Sequence, residues 1–200
     1  EHFIAITDPG SSLEKEAGDD GFLKVFHGKP GIGGRFSVLS SFGLVPAAMM
    51  GIDVARFMDA TMKMVDSCRE QDDVQENPGV ILGCILGVSA NAGRDKLTII
   101  ASTGLASIGA WLEQLVAEST GKQGKSVIPI DGESVGKPDV YGDDRVFVYL
   151  RFDESPSLER DRAVDLLEKA GHPVIRINVT DAYSLGQEFF RWEIATAVAG

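Results

Sequence analysis

LTIIASTGLASIGAWLEQLVAESTGKQGKSVIPI, residues 97–130, decides the fold. LTIIA (97–101) reads as a short aliphatic strand, the segment from about Leu105 to Ser119 carries apolar residues at helical spacing, and SVIPI (126–130) is a second strand. The rhythm continues downstream. VFVYL (146–150) reads as a strand, Ser157–Ala170 as a helix, PVIRINV (173–179) as a strand and Ser184–Val198 as the last helix. Short aliphatic strands alternating with helices are the pattern of a parallel sheet covered on both faces. The expectation is an α/β, doubly wound parallel sheet flanked by helices.

Upstream the pattern changes. HFIAIT (2–7), closed by Asp8-Pro9-Gly10, reads as one strand ending in a turn. Ser11 to Gly34 is polar, charged and broken by Gly28, Pro30, Gly31, Gly33 and Gly34, which predicts a loop with a little helix. Two helices are expected between Phe42 and about Glu70, and Asn77-Pro78 opens another that ends near Asn91–Gly93.

Composition supports this class. The chain has 200 residues, 44% of them hydrophobic, with 23 glycines and only 8% aromatics, which suits α/β better than all-β or coiled-coil architectures. A formal charge of -11 argues against a nucleic acid or an anionic membrane surface as partner, since both require clustered Lys and Arg. A phosphorylated ligand would need a local exception, supplied by a few cations or by backbone N–H groups at helix starts. Cys68 and Cys84 lack CxxC spacing and have no clustered histidines, so neither a disulfide scaffold nor a metal site is expected, and a reduced, cytoplasmic setting is the plain reading. No run is long enough to span a membrane, and EHFIAITDPG lacks the pattern of a signal peptide.

The densest functional signal is Gly31-Ile32-Gly33-Gly34-Arg35-Phe36-Ser37. Paired glycines let the backbone approach a ligand, and the arginine presents a fixed cation. As a dinucleotide fingerprint the stretch is poor, because it follows a polar loop rather than a strand. Gln114 and Glu118, four residues apart, share a face near the end of a predicted helix, where a glutamate opposes the helix dipole. Gly121-Lys122-Gln123-Gly124-Lys125-Ser126 only superficially resembles a phosphate loop: the first glycine is missing and a strand follows instead of a helix. His2, His27 and His172 are too scattered to form a triad or a metal cage, and the methionines and tryptophans read as core filler.

Gly33-Gly34-Arg35-Phe36-Ser37, continued by Val38-Leu39-Ser40-Ser41-Phe42-Gly43, resembles the signature of glucose-6-phosphate isomerases, with Phe42 where that family prefers a smaller residue. GAWLEQLVAESTGK (109–122) resembles the helix of the same family that ends in a catalytic glutamate followed by a small polar pair, glycine and lysine. LSSFGLVPAAMMGID (39–53) and EFFRWEIATAVAG (188–200) look closest to the isomerase half of bacterial transaldolase–isomerase fusions.

The resemblance implies the sugar-isomerase fold, a sugar phosphate as substrate, no cofactor, and a homodimer. It implies interconversion of glucose 6-phosphate and fructose 6-phosphate through a cis-enediol or enediolate. Glu118 would be the base and Arg35 would stabilise the developing oxyanion, while Gly33 and Gly34 would allow close backbone approach and Gln114 would orient hydroxyls. Partial burial of Glu118 would suit that role. The implied division is residues 1–43 as the tail of a first sugar-isomerase domain with an active-site loop, 44–95 as a helical connection, and 96–200 as a second such domain cut short. The family's phosphate loop would precede residue 1 and its final lysine would follow Gly200, so the isolated chain is expected to be nearly inactive. The family's ring-opening histidine has no carrier between Asp131 and Arg151. A non-catalytic sugar-phosphate-binding module of the same fold is the alternative; a nucleotide-binding α/β protein would need glycine-rich and acidic features that are not clear here.

Overall fold

A computed structural model describes residues 2–69 and 74–200. The chain forms two compact units, residues 1–59 and 60–200. The end of the second expected helix, near Glu70, falls outside the described residues.

In the first unit, β1 (Ile4–Thr7) and β2 (Lys24–His27) form a parallel pair in the register Ile4↔Lys24 to Thr7↔His27. They are joined by α1 (Ser12–Asp19), whose cap Ser11 accepts the Glu14 N–H at 3.1 Å. Glu14 then reaches back to the Gly10 N–H at 2.6 Å and across to His27 Nε2 at 2.5 Å, tying helix to strand. The stretch from Ser11 to Gly34 holds the expected little helix, as α1, but the loop reading is corrected at Lys24–His27, which is a strand. Lys24-Val25-Phe26-His27 is too short to show alternation, and pairing with β1 makes it a strand. A further helix, α2 (Ser41–Met49), starts at its cap Ser40. The helix α3 (Val54–Ser67) spans the division between the units.

The second unit is built on four parallel strands: β3 (Lys96–Ala101), β4 (Ile128–Ile130), β5 (Arg145–Phe152) and β6 (Val174–Val179), in the order β4-β3-β5-β6. Their connections are α5 (Ser107–Thr120) between β3 and β4 and α6 (Leu158–Lys169) between β5 and β6; α4 (Pro78–Asn91) precedes the sheet and α7 (Leu185–Ala199) follows it. From the β3/β5 pair the chain winds outward both ways, so right-handed crossovers place α5 and α6 on opposite faces. This is the doubly wound α/β arrangement expected from the sequence.

Alternation along β5 divides the core. Phe147 and Tyr149 pack with Ile100, Val164 and Leu167 on the α6 side, while Val146, Val148 and Leu150, also buried, point the other way. Full burial of such side chains contributes about 1.5–3 kcal/mol each. Tyr149 reaches the edge of that layer, where its hydroxyl donates to Asp161 Oδ1 at 2.8 Å. Between β3 and β5, Ser102 Oγ accepts the Phe152 N–H at 3.0 Å, joining the two strand ends.

Helix α4 meets α7 through glycine. Methyl groups built on Gly79 and Gly83 would fall 2.7 Å from Ile194 Cγ2 and 2.5 Å from Ala195 O, so their absence sets the helix separation. The aliphatic side chains of α4, Ile81, Ile85 and Val88, are exposed on another face.

Candidate functional site

Arg35 sits in a single tight turn, Gly34–Phe36. Ser37 Oγ donates to Gly34 O at 2.6 Å and Ser40 Oγ donates to Ser37 O at 2.6 Å, so serines close two successive bends before α2. The Arg35 guanidinium lies 5.3 Å from the centre of the Phe36 ring and is half-buried. Gly33 is extended at φ -66, and a methyl group on Gly34 would meet nothing within 4 Å. The internal packing of the unit does not demand glycine at either position. By contrast, Gly43 has the Val38 backbone directly against it, and Phe42 lies over Gly28. The exposed Gly33-Gly34 backbone thus stands on a well-anchored frame.

Gln114 and Glu118 lie one turn apart on the exposed face of α5, while Leu112, Leu115, Val116, Ser119 and Thr120 are buried. The helix turns Glu118 outward because the apolar positions around it claim the inward face. The structure thus groups Gly33, Gly34 and Arg35 in the first unit, and Gln114 and Glu118 in the second.

Beside the end of α5 a cleft of about 860 Å³ opens, lined by residues that include Asn91, Asp95, Thr120, Lys122, Lys125 and Gly200. Glu118 is not among its lining residues.

The histidines have structural partners. His27 is held by Glu14, and His172 Nε2 lies 2.9 Å from Pro138 O with its ring against Tyr141 and Phe147. Arg145 closes over the Tyr141 ring at 5.0 Å and donates to Glu133 Oε2 at 2.8 Å, so the connection from β4 to β5 is pinned by side chains. Among the described residues, no three His, Cys, Asp or Glu side chains are grouped to hold a metal ion. Among the same residues, no helix is long and apolar enough to cross a membrane.

Two acidic groups escaped the sequence reading. Burial pushes the Glu188 carboxyl up to about 7 despite Arg191, whose Nη2 lies 3.3 Å from Glu188 Oε1; burial alone does the same to Glu193. The charged composition of QEFFRWE gave no sign of it, although the i, i+4 position of Glu188 beneath Trp192 was a usable signal.

No family model matches the chain. The glucose-6-phosphate isomerase of Rubrobacter xylanophilus is 31% identical over 172 residues, which is 85% of this chain and 37% of that protein. A match of that length takes in both Arg35 and Glu118 wherever it begins. The glucose-6-phosphate isomerase of Nostoc sp. is 37% identical over 125 residues, 62% of this chain and 24% of that protein. The chain therefore spans just under a quarter to less than two fifths of these curated relatives. Among solved structures, a hypothetical protein from Thermus thermophilus superposes with a TM-score of 0.84 at 21% identity, covering 98% of this chain and 56% of that one. A glucose-6-phosphate isomerase like protein from the same organism gives 0.56 at 15% identity, covering 98% and 72%. The chain is thus similar in sequence to parts of glucose-6-phosphate isomerases, and it has the α/β, parallel-sheet fold of these two structures.

Proposed function

We propose that this chain is part of an aldose–ketose isomerase that interconverts glucose 6-phosphate and fructose 6-phosphate. The observation that carries the reading is the similarity, over 85% of the chain, to a protein named for that reaction, across a stretch that includes Arg35 and Glu118. The geometry of each unit fits the roles. The Gly33-Gly34 backbone is exposed without a packing reason for glycine, which suits a ligand lying against it, and Arg35 follows on a fixed turn. Glu118 and Gln114 project together from α5.

The chemistry follows from an α-hydroxy carbonyl. The Glu118 carboxylate removes the proton from C2 of the aldose, the electrons flow into the carbonyl, and a cis-enediolate forms. Arg35 offsets the negative charge on its oxygen, and Gln114 holds adjacent hydroxyls. A proton passes from the C2 hydroxyl to the C1 oxygen, the electrons of the double bond take the proton back from Glu118 at C1, and the C2 carbonyl of the ketose forms. The resemblance to the isomerase half of a transaldolase fusion belongs to the same proposal, as do a homodimeric state and a cytoplasmic location.

The exposure of Glu118 favours a second reading, a sugar-phosphate-binding module without turnover. The deciding experiment measures fructose 6-phosphate isomerisation by the full natural chain that contains these residues, beside Glu118→Gln and Arg35→Ala. The isomerase reading expects turnover by the parent and a loss of about a hundredfold or more for Glu118→Gln with the fold intact. Binding of sugar phosphate without turnover would support the binding module, and turnover that ignores Glu118→Gln would remove the base assignment.

A further inference from the structure

The end of α5 is built as one arm of a hairpin. Lys122 N–H donates to Lys125 O at 2.9 Å and Lys125 N–H donates to Lys122 O at 3.0 Å. Between them Gln123 and Gly124 have φ of 53 and 76, the two left-handed residues of a tight hairpin turn. In this antiparallel register, the last helical residue, Thr120, stands opposite Val127 at the entrance to β4.

The Thr120 side chain makes the joint. Its Oγ1 donates to Val116 O at 2.8 Å within the helix and accepts the Val127 N–H at 3.0 Å across the hairpin. Thr120 is 8% exposed, so water does not readily replace either bond. The chain can leave the helix here because residue 121 is glycine: a methyl group there would stand 2.7 Å from Ala117 O. One buried hydroxyl thus bolts the last turn of α5, which carries Glu118, to the sheet.

We infer that Thr120 is a positioning residue for Glu118, holding the exposed carboxylate in place by locking the final helical turn to Val127. This rests on the isomerase reading above. Proton abstraction from carbon tolerates little misplacement, and a shift of about 1 Å can cost up to a hundredfold in rate. The Glu118 carboxylate moves with the helical turn that carries it, so the rigidity of the helix end contributes to the aim of the base.

The test compares the full natural chain with Thr120→Val, which keeps the shape and loses the hydroxyl, and Thr120→Ser, which keeps the hydroxyl. Fructose 6-phosphate turnover is measured per folded molecule, with folding followed by circular dichroism. Thr120→Val should lose on the order of tenfold in kcat with KM within about twofold; Thr120→Ser should stay within about twofold of wild type in both. A purely structural role would lower the melting temperature without changing kcat of the folded fraction. If Thr120→Val does not fold, Gly124→Ala carries the test. It strains the left-handed turn, has open space for its methyl group, and should lower kcat about threefold. Wild-type kcat in the folded variant would overturn the inference and leave the isomerase intact. Absence of turnover in the wild type would overturn the isomerase reading and the inference with it.

Discussion

Gly83 on α4 lies against the backbone of Ala195 on α7, so close that a methyl group on Gly83 would stand 2.5 Å from Ala195 O and 2.6 Å from Val198 Cβ. Backbone cannot step aside as the tip of a side chain can. Gly83→Ala should therefore destabilise the chain by about 1–3 kcal/mol, the usual cost of overpacking, despite the better helix propensity of alanine. Gly87→Ala is the control. Its methyl group would meet Ala199 at an ordinary 3.6 Å, and the substitution should be neutral or stabilising by up to about 1 kcal/mol. Urea unfolding of both variants checks the pair.

Stability should depend on pH through Glu188 and Glu193. Both carboxyls are raised from 4.5 to about 7, with Arg191 and the Cys68 thiol as the charged or titratable neighbours of Glu188. The folded chain then binds more protons than the unfolded one between those values, so this contribution is full below about pH 4.5 and lost as pH rises through 7. Asp161 works in the opposite sense: hydrogen bonds from Tyr149 and Arg151 lower it, and its contribution disappears at the acid end. The melting temperature should peak near pH 5 and fall toward pH 8. Glu188→Gln should remove on the order of 3 kcal/mol of that fall.

Asn77 caps α4 twice over. Its Oδ1 accepts the N–H groups of Gly79 at 3.1 Å and Val80 at 3.0 Å, while Nδ2 donates to Cys68 O at 2.9 Å. Asn77→Ala should cost about 1–2 kcal/mol. Asn77→Asp keeps both acceptor bonds and loses the donor, so its thermal shift should be the smaller of the two.

If Gln114 orients hydroxyls while Glu118 moves the proton, their variants must differ in kind. Gln114→Ala should lower kcat/KM about tenfold, an order of magnitude less than Glu118→Gln, with part of the loss in KM. Steady-state kinetics on the full natural chain separates the two.

The strands and helices of the second unit could be read from sequence because each carries its own pattern. LTIIA and VFVYL are buried on both faces and show continuous apolar runs, while Asn77-Pro78 marks a helix start by local capping chemistry. What could not be read depends on distant partners. Lys24–His27 becomes a strand only beside Ile4–Thr7, and the link between Thr120 and Val127 exists only once the turn at Gln123-Gly124 closes. In the site, Gly33-Gly34-Arg35 and the Gln114/Glu118 pair were visible as residue types at a spacing. The outward aim of Glu118 and the burial of Glu188 and Glu193 belong to packing, which a sequence pattern does not contain.

The order β4-β3-β5-β6 also sets a timetable for assembly. Every pair in this sheet is parallel, so none can zip up from a local hairpin. As the chain leaves the ribosome, β3 can dock with β4 while its other edge waits for Arg145–Phe152 to emerge. Until then a central strand stands open, with its backbone groups unpaired. Refolding of this unit should accordingly be slower than that of a helical bundle of the same size, and an open β3 edge before β5 arrives is a site where a nascent chain can aggregate.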